Sequence, residues 1–301
     1  MAGICQDRTV IITGAAGGLG KCYALAFGLA GANVVVNDIG TSLQGEGRDT
    51  SAADAVVEEI RAAGGKAVAS YEDITDWDAA GRIVRTAIDS FGGLDVVVNN
   101  AGIVRDRMFV SATLDEWDAT IHVHLRGHFC ISRHAVDYWR AQQKAGTPVD
   151  ARIINTTSNA GLQGSVAQSA YSTAKGGIAA LTLVQAAELA RYGITANALA
   201  PAARTRMTEG AFAEKMAKVE EGFDVQDPNN IAPTVVWLGS TQSSHVTGCV
   251  FELEGGRITI EDGWDLGPTV EKQERWDPAD VGEAVAGLLA MRKPPRKVWG
   301  S

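Results

Sequence analysis

The sequence predicts an α/β domain built on one doubly wound parallel sheet with helices on both faces. Three observations predict it. Short runs rich in Val and Ile recur without polar alternation, as strands buried on both faces require. Segments of helical periodicity separate them, the alternation that builds a parallel sheet through helical crossovers. The first run also passes through a glycine-rich turn straight into the first helix.

The elements follow in order. "TVIIT" (Thr9–Thr13) is the first strand, and the helix Gly20–Ala30 follows its turn. "NVVVN" (Asn33–Asn37) leads to the helix Ala52–Ala63, which keeps Val56, Val57 and Ile60 on one face. "KAVAS" (Lys66–Ser70) precedes the helix Trp77–Phe91, and "DVVVN" (Asp95–Asn99) is the fourth strand. The long helical stretch Leu114–Lys144 leads to "RIINT" (Arg152–Thr156), and Tyr171–Tyr192 leads to "TANALA" (Thr195–Ala200). "CVFEL" (Cys249–Leu253) is the seventh strand. Beyond it the pattern is lost until one more helix, Pro278–Met291. No linker or internal repeat divides the chain, so residues 1–254 form a single domain and 255–301 an irregular C-terminal extension.

Composition narrows the classes. With 301 residues, 46% hydrophobic and 21% charged, the chain can bury a large core and reads as a soluble globular protein. A net charge of −9 argues against a nucleic-acid partner. The basic group Arg292, Lys293, Arg296 and Lys297 reads as a solvated tail. Cys5, Cys22, Cys130 and Cys249 lie far apart without metal-ligand spacing, as reduced cytosolic thiols do. His124 and His128 stand one helical turn apart, but no third ligand accompanies them, and no metal is expected. No apolar run is long enough to span a membrane. The start has no signal segment and the end no peroxisomal address, so the expectation is a cytoplasmic protein with no membrane partner.

The turn "TGAAGGLG" carries Gly14, Gly17, Gly18 and Gly20 between the first strand and the first helix. Glycine lets backbone approach a pyrophosphate closely, and the helix N-terminus favours its charge. The spacing departs from the usual G-x-G-x-x-G, and any tight strand-to-helix turn uses glycine. Asp38 strengthens the reading. It ends the second strand, where a carboxylate would bond the adenosine ribose hydroxyls and repel a 2′-phosphate. NAD is therefore preferred over NADP. "NNAG" (Asn99–Gly102) ends the fourth strand, and Asp73 follows the third, placed for the adenine edge.

"AYSTAK" puts Tyr171 and Lys175 at i and i+4 near a helix start, on one face. An ammonium beside a phenol stabilises the phenolate and makes a tuned acid/base. On these residues alone, two unrelated side chains on an exposed face are the favoured reading. Ser158 stands in "NTTSNAGLQG" after the fifth strand.

Taken together, TGxxxGxG, NNAG and Ser-x12-Tyr-x3-Lys resemble the short-chain dehydrogenase/reductase family over roughly Asp7 to Leu253. The resemblance implies a Rossmann-type sheet and a nicotinamide cofactor. It makes Tyr171 the acid/base, Lys175 its tuner and a ribose ligand, and Ser158 the hydrogen-bond donor to the substrate oxygen. It extends the cofactor set to Leu19, Ile74, Asn100, Ala101, Gly102, Pro201 and Ala203, besides Tyr171 and Lys175 themselves. Where the family carries asparagine in its fourth helix, "VHLRGHF" puts His124, which either holds a relay water or fills the space. Family members are dimers or tetramers, so a homodimer or homotetramer is expected, with Leu181, Val184 and Leu189 on a face that is either core or contact.

Within the family, "VHLRG", "VVNDIG", "NNAGIVRDRMF" and "APAARTRMT" resemble the (3R)-hydroxyacyl-CoA dehydrogenase unit of peroxisomal multifunctional enzymes. That implies a 3-hydroxyacyl-CoA substrate. A hydroxysteroid or other hydroxy-compound dehydrogenase is the alternative, and a non-catalytic dinucleotide sensor a further one. Arg105, Arg107, Arg204, Arg206 and Met207 are candidate substrate residues. The arginines either hold CoA phosphates or pair with Asp106 and other acids. Thr205–Gly222 would be a lid.

Overall fold

The computed structural model describes residues 3–205, 208, 216–219, 221–273, 275–294 and 296–301. The strands are β1 (Thr9–Thr13), β2 (Asn33–Asn37), β3 (Lys66–Ser70), β4 (Val96–Asn99), β5 (Ala151–Thr156), β6 (Ile194–Ala202), β7 (Val250–Glu254) and β8 (Arg257–Glu261). Among the described residues they form one sheet in the order β3-β2-β1-β4-β5-β6-β7-β8. β1 to β7 run parallel, and only β8 returns antiparallel.

Alternation along each strand sends its side chains to two separate cores. Val10, Ile12, Val34, Val36, Val96 and Val98 pack on one face against Tyr23 and Phe27 of α1 (Gly18–Leu29), Val56 and Ile60 of α2 (Ser51–Ala62), and Val235 and Leu238 of α8 (Ala232–Gly239). Ile11, Val35, Val97 and Ile153 pack on the other. Their partners there are Ile83 and Val84 of α3 (Trp77–Phe91) and Ile131 and Trp139 of α5 (Gly127–Lys144). Both faces are dry, so the strands carry continuous apolar runs.

Two departures from the sequence pattern matter. The stretch Leu114–Lys144 is not one regular helix: α4 (Leu114–Ile121) and α5 are joined by a π turn over His122–Arg126. Such widened turns cluster at functional sites, and this one carries His124. The chain after Leu253 is not wholly irregular. It turns at Gly255 and Gly256 and returns as β8, pairing Phe251 with Ile260 and Leu253 with Ile258. Farther on, α9 (Pro278–Met291) forms as expected, with none of its residues buried. Arg296 anchors the tail on Glu252 and Glu261, and Trp299 pairs with the loop before the tyrosine helix through Val166 N–H (2.8 Å) and Gly164 O (3.1 Å).

Sheet order reverses between β1 and β4, the switch point where open α/β sheets leave a crevice at their carboxyl ends. No described helix is long and apolar enough to cross a membrane. Cys5 and Cys130 are buried, Cys22 and Cys249 half-buried, and all four are free thiols. On α7 (Ser169–Leu189), Val184 is exposed while Leu189 packs against the second core, so the expected face divides between the two roles.

Candidate active site

The crevice at the switch point is a cavity of about 660 Å³. Its dinucleotide end is made by the turn from β1 to α1. Gly14 adopts φ +64°, and a Cβ there would lie 2.7 Å from Ala101 Cα. A Cβ on Gly20 would lie 2.1 Å from Gly14 O, so Gly20 does not face the crevice but lets α1 close onto the turn. The α1 N-terminus has no side-chain cap and no acid in its first turn, which leaves its N–H groups for an anion. Gly14, Gly17, Gly18, Leu19, Asp38, Asp73, Ile74, Asn100, Ala101, Gly102, Pro201 and Ala203 all line the cavity. Asp38 is fixed by N–H groups of Ala16 (2.9 Å) and Gly40 (2.8 Å). Asp73 instead accepts from Thr75 N–H and hydroxyl, both at 2.8 Å. A backbone cradle without side chains, a bare helix N-terminus and a held carboxylate together fit a dinucleotide.

The other end is chemical. Ser158 caps α6 (Asn159–Gln163), its Oγ accepting from Ala160 N–H at 3.2 Å, which leaves the hydroxyl proton to donate. Tyr171 and Lys175 do share a face of α7. Lys175 Nζ sits 5.6 Å from the centre of the Tyr171 ring and donates to Thr156 O at 2.6 Å. Thr157 Oγ1 donates to Lys175 O at 2.6 Å, so the end of β5 grips the lysine at both ends. Gly161 makes this grip possible, because a Cβ there would lie 2.5 Å from Lys175 C.

His124 is fully buried and edge-on to Tyr171, their ring centroids 5.2 Å apart. Its Nε2 lies 3.1 Å from Ile103 N and 2.8 Å from Ile103 O, and Nδ1 has no partner among the described residues. His128 is buried one turn further on, 3.4 Å from Thr156 N. The described residues hold no cluster able to bind a metal. Beneath the site, Asn99 bonds Ser132 and Asn155, and Asn155 bonds Thr182 and Gln185, a buried ladder joining β4, α5, β5 and α7.

Burial sets the protons. It pulls the Lys175 ammonium down to about 7. Burial pulls His124 down to about 3, the Lys175 charge adding to it and the Ile103 bond opposing it. Tyr171 moves up, chiefly through burial. The hydrogen bond from Ser158 opposes that rise, and the Asp106 charge adds to it. The phenol, expected to be drawn downward by Lys175, moves up instead in the cofactor-free chain, with burial the largest cause.

Of the arginines weighed against CoA phosphates, Arg105 lines the cavity but donates twice to Gln44 O, while Arg107 holds Glu116 and Arg204 pairs with Asp224 and with the carbonyls of Met216 and Ala217. Arg206, Met207 and most of the expected lid lie outside the described residues. The sequence pattern also missed three wall elements. Thr13 Oγ1 accepts from Asn100 N–H (3.0 Å) and Ala101 N–H (3.1 Å), holding the turn after β4. Thr156 and Thr157 follow the strand pattern with no mark of their grip on Lys175. The loop Thr41–Gly45 lines the crevice and carries no signal beyond its polarity.

This crevice, with a serine, tyrosine and lysine at one end and a dinucleotide cradle at the other, defines an oxidoreductase. A family model described as short chain dehydrogenase matches residues 8–216, and the chain belongs to that family. A crystal structure of a short chain dehydrogenase from Mycobacterium avium is 55% identical with a TM-score of 0.89, covering 99% of this chain and 100% of that one. Hydroxyacyl-CoA dehydrogenase ChsB1 of Mycobacterium tuberculosis is 41% identical over 301 residues, 96% of this chain and 90% of that protein. Peroxisomal multifunctional enzyme type 2 of Mus musculus is 43% identical over 253 residues, 84% of this chain. The chain spans only 32% of that larger enzyme.

Proposed function

We propose that the protein is an NAD-dependent dehydrogenase that interconverts the 3-hydroxyl and 3-keto groups of acyl-CoA thioesters. The observation that carries the reaction class is the meeting of Ser158, Tyr171 and Lys175 at the floor of the crevice. The likeness to ChsB1 carries the substrate class. Asp38, anchored by two N–H groups and facing the cradle, supports NAD over NADP, because its charge repels a 2′-phosphate.

When bound, the nicotinamide supplies the hydride acceptor or donor. The chain's own residues handle the oxygen and its proton. Ser158 donates a hydrogen bond to the substrate oxygen and stabilises charge developing there. Tyr171 exchanges the proton at that oxygen. Its raised phenol is protonated at neutral pH and so stands ready to donate, the reductive sense. Loss of the proton, for oxidation, works against the burial that raises the phenol. His124 stays neutral at physiological pH and holds the phenol edge-on, a positioning role.

A panel of thioesters and free hydroxysteroids, assayed with NAD and NADP, tests the reading. Turnover of 3-hydroxyacyl-CoA with NAD is expected, and Tyr171→Phe abolishes it while leaving NADH binding in place. Activity on steroids with every acyl-CoA inert would overturn the substrate class. A homodimer or homotetramer fits the exposed Leu183 and Val184 on α7 and Phe129 on α5, and sedimentation measures it.

A further inference from the structure

One strip of backbone, Val104–Arg107, touches two loops from distant parts of the chain, one lining the crevice and the other leading into α7. On the dinucleotide side, Val104 N–H donates to Leu43 O at 3.0 Å. Arg105 places Nε (3.1 Å) and Nη2 (2.8 Å) on Gln44 O. A Cβ at Gly45 would lie 3.3 Å from Ile103 Cγ2, so the loop packs flush on this strip. Leu43, Gln44, Ile103 and Arg105 all face the cavity.

On the substrate side, Arg107 N–H donates to Ala167 O at 2.7 Å and pairs with Gln168 as a parallel bridge. Gln168 Nε2 donates to Asp106 Oδ2 at 2.9 Å. Gln168 is the N-cap of α7, three positions before Tyr171.

The loop after β2 needs such a tether. The bonds among Ser42, Gly45 and Glu46 are internal and fold its tip on itself, while Arg48 Nη2 ties its far end to Tyr71 O at 2.8 Å. A surface tip folded on its own bonds opens at little cost. A guanidinium giving two bonds to one carbonyl is a strong, directional anchor.

We propose that Val104–Arg107 is a crossbar between the two loops, with Arg105 as its positioning residue. By pinning Leu43–Gln44 across the crevice, Arg105 sets how tightly the dinucleotide is retained. The same strip passes that ordering to the loop that launches the tyrosine helix. The inference rests on the dinucleotide reading of the crevice.

The test uses the full chain and NADH, titrated by fluorescence, with hydrogen exchange at the Val104 and Arg107 amides in the absence of nucleotide. Arg105→Ala is expected to raise the NADH Kd about tenfold. Arg105→Lys recovers part of the loss, and melting temperature shifts by only a few degrees. Both amides exchange faster in Arg105→Ala, and Gln168→Ala weakens NADH from the far side by a smaller factor, as reciprocal coupling requires. An unchanged Kd in Arg105→Ala overturns the latch. Faster exchange at Val104 with Arg107 unaffected, or an unchanged Kd in Gln168→Ala, overturns the crossbar. The exchange readout needs no nucleotide, so a wild-type chain that failed to bind NADH would overturn the dinucleotide reading separately.

Discussion

Replacing Lys175 by methionine tests the physical claim on which the site's chemistry turns, that burial takes charge off this lysine. Lys175 is 3% exposed, and its folded-state pKa falls from 10.5 to about 7 through desolvation. Below pH 7 it is protonated in both folded and unfolded chains, and the folded state bears the full cost of the buried charge. Between 7 and 10.5 the unfolded chain binds more protons, so stability rises with pH across that window. Above it both forms are neutral and the cost is gone. The full span is about 5 kcal/mol, at 1.36 kcal/mol per unit. Methionine has similar length and no charge, so its curve lacks this contribution. Urea unfolding of the cofactor-free chain should therefore show the variant's advantage over wild type shrinking by about 3 kcal/mol from pH 7 to 9.5. The constant offset also contains the lost bond to Thr156 O, so the slope is the readout. A gap that stays level across that window would mean an ordinary, fully charged lysine, and the burial argument would be wrong.

Three other outcomes follow from the geometry. Gly161→Ala puts a methyl group 2.5 Å from backbone carbon of Lys175, and should cost about 1–3 kcal/mol in a denaturant melt and lower kcat/KM; wild-type stability and turnover would refute the close packing of α6 on α7. His124, with a folded pKa of about 3, should show no imidazole titration by NMR between pH 5 and 8. Because that pKa is depressed, stability is lost as pH falls from 6.5 toward 3, and His124→Asn should lessen the loss; an unaltered acid limb would refute the buried neutral ring. Asp38→Ala should narrow the preference for NAD over NADP, read as the ratio of kcat/KM values; an unmoved ratio would remove Asp38 from cofactor selection.

What the sequence could show depended on how local the cause was. β1, β2, β4 and β5 were legible because burial on both faces demands unbroken apolar runs, and neighbouring residues record that demand. β8 was missed although "RITIE" alternates, because an edge strand half open to water, with Ile258 and Ile260 exposed, lies between glycines and charges that read as loop. The π turn at His122–Arg126 left no mark, since it alters helix spacing without changing composition. Asp38 and the glycine turn were legible as types, but only the fold showed that Gly20 faces α1's own packing rather than the crevice. Spacing left the arginines open between phosphates and acids, and their partners Gln44, Glu116 and Asp224 are chosen by loops whose course no spacing encodes.

The tyrosine–lysine pair shows the division most sharply. Its shared helix face is a four-residue matter and can be read directly, whereas its charge state is a property of everything packed around it. The grip of Thr156 and Thr157 and the close approach of Gly161 exclude water from Lys175, while the ring of His124 covers one edge of the half-buried Tyr171. Desolvation then moves the ammonium down to about 7 and the phenol up, so at neutral pH the lysine gives up part of its charge while the phenol keeps its proton. Whatever enters the crevice therefore meets a protonated phenol beside a lysine whose charge follows small changes in its surroundings, a balance that belongs to the packed site rather than to two neighbouring side chains.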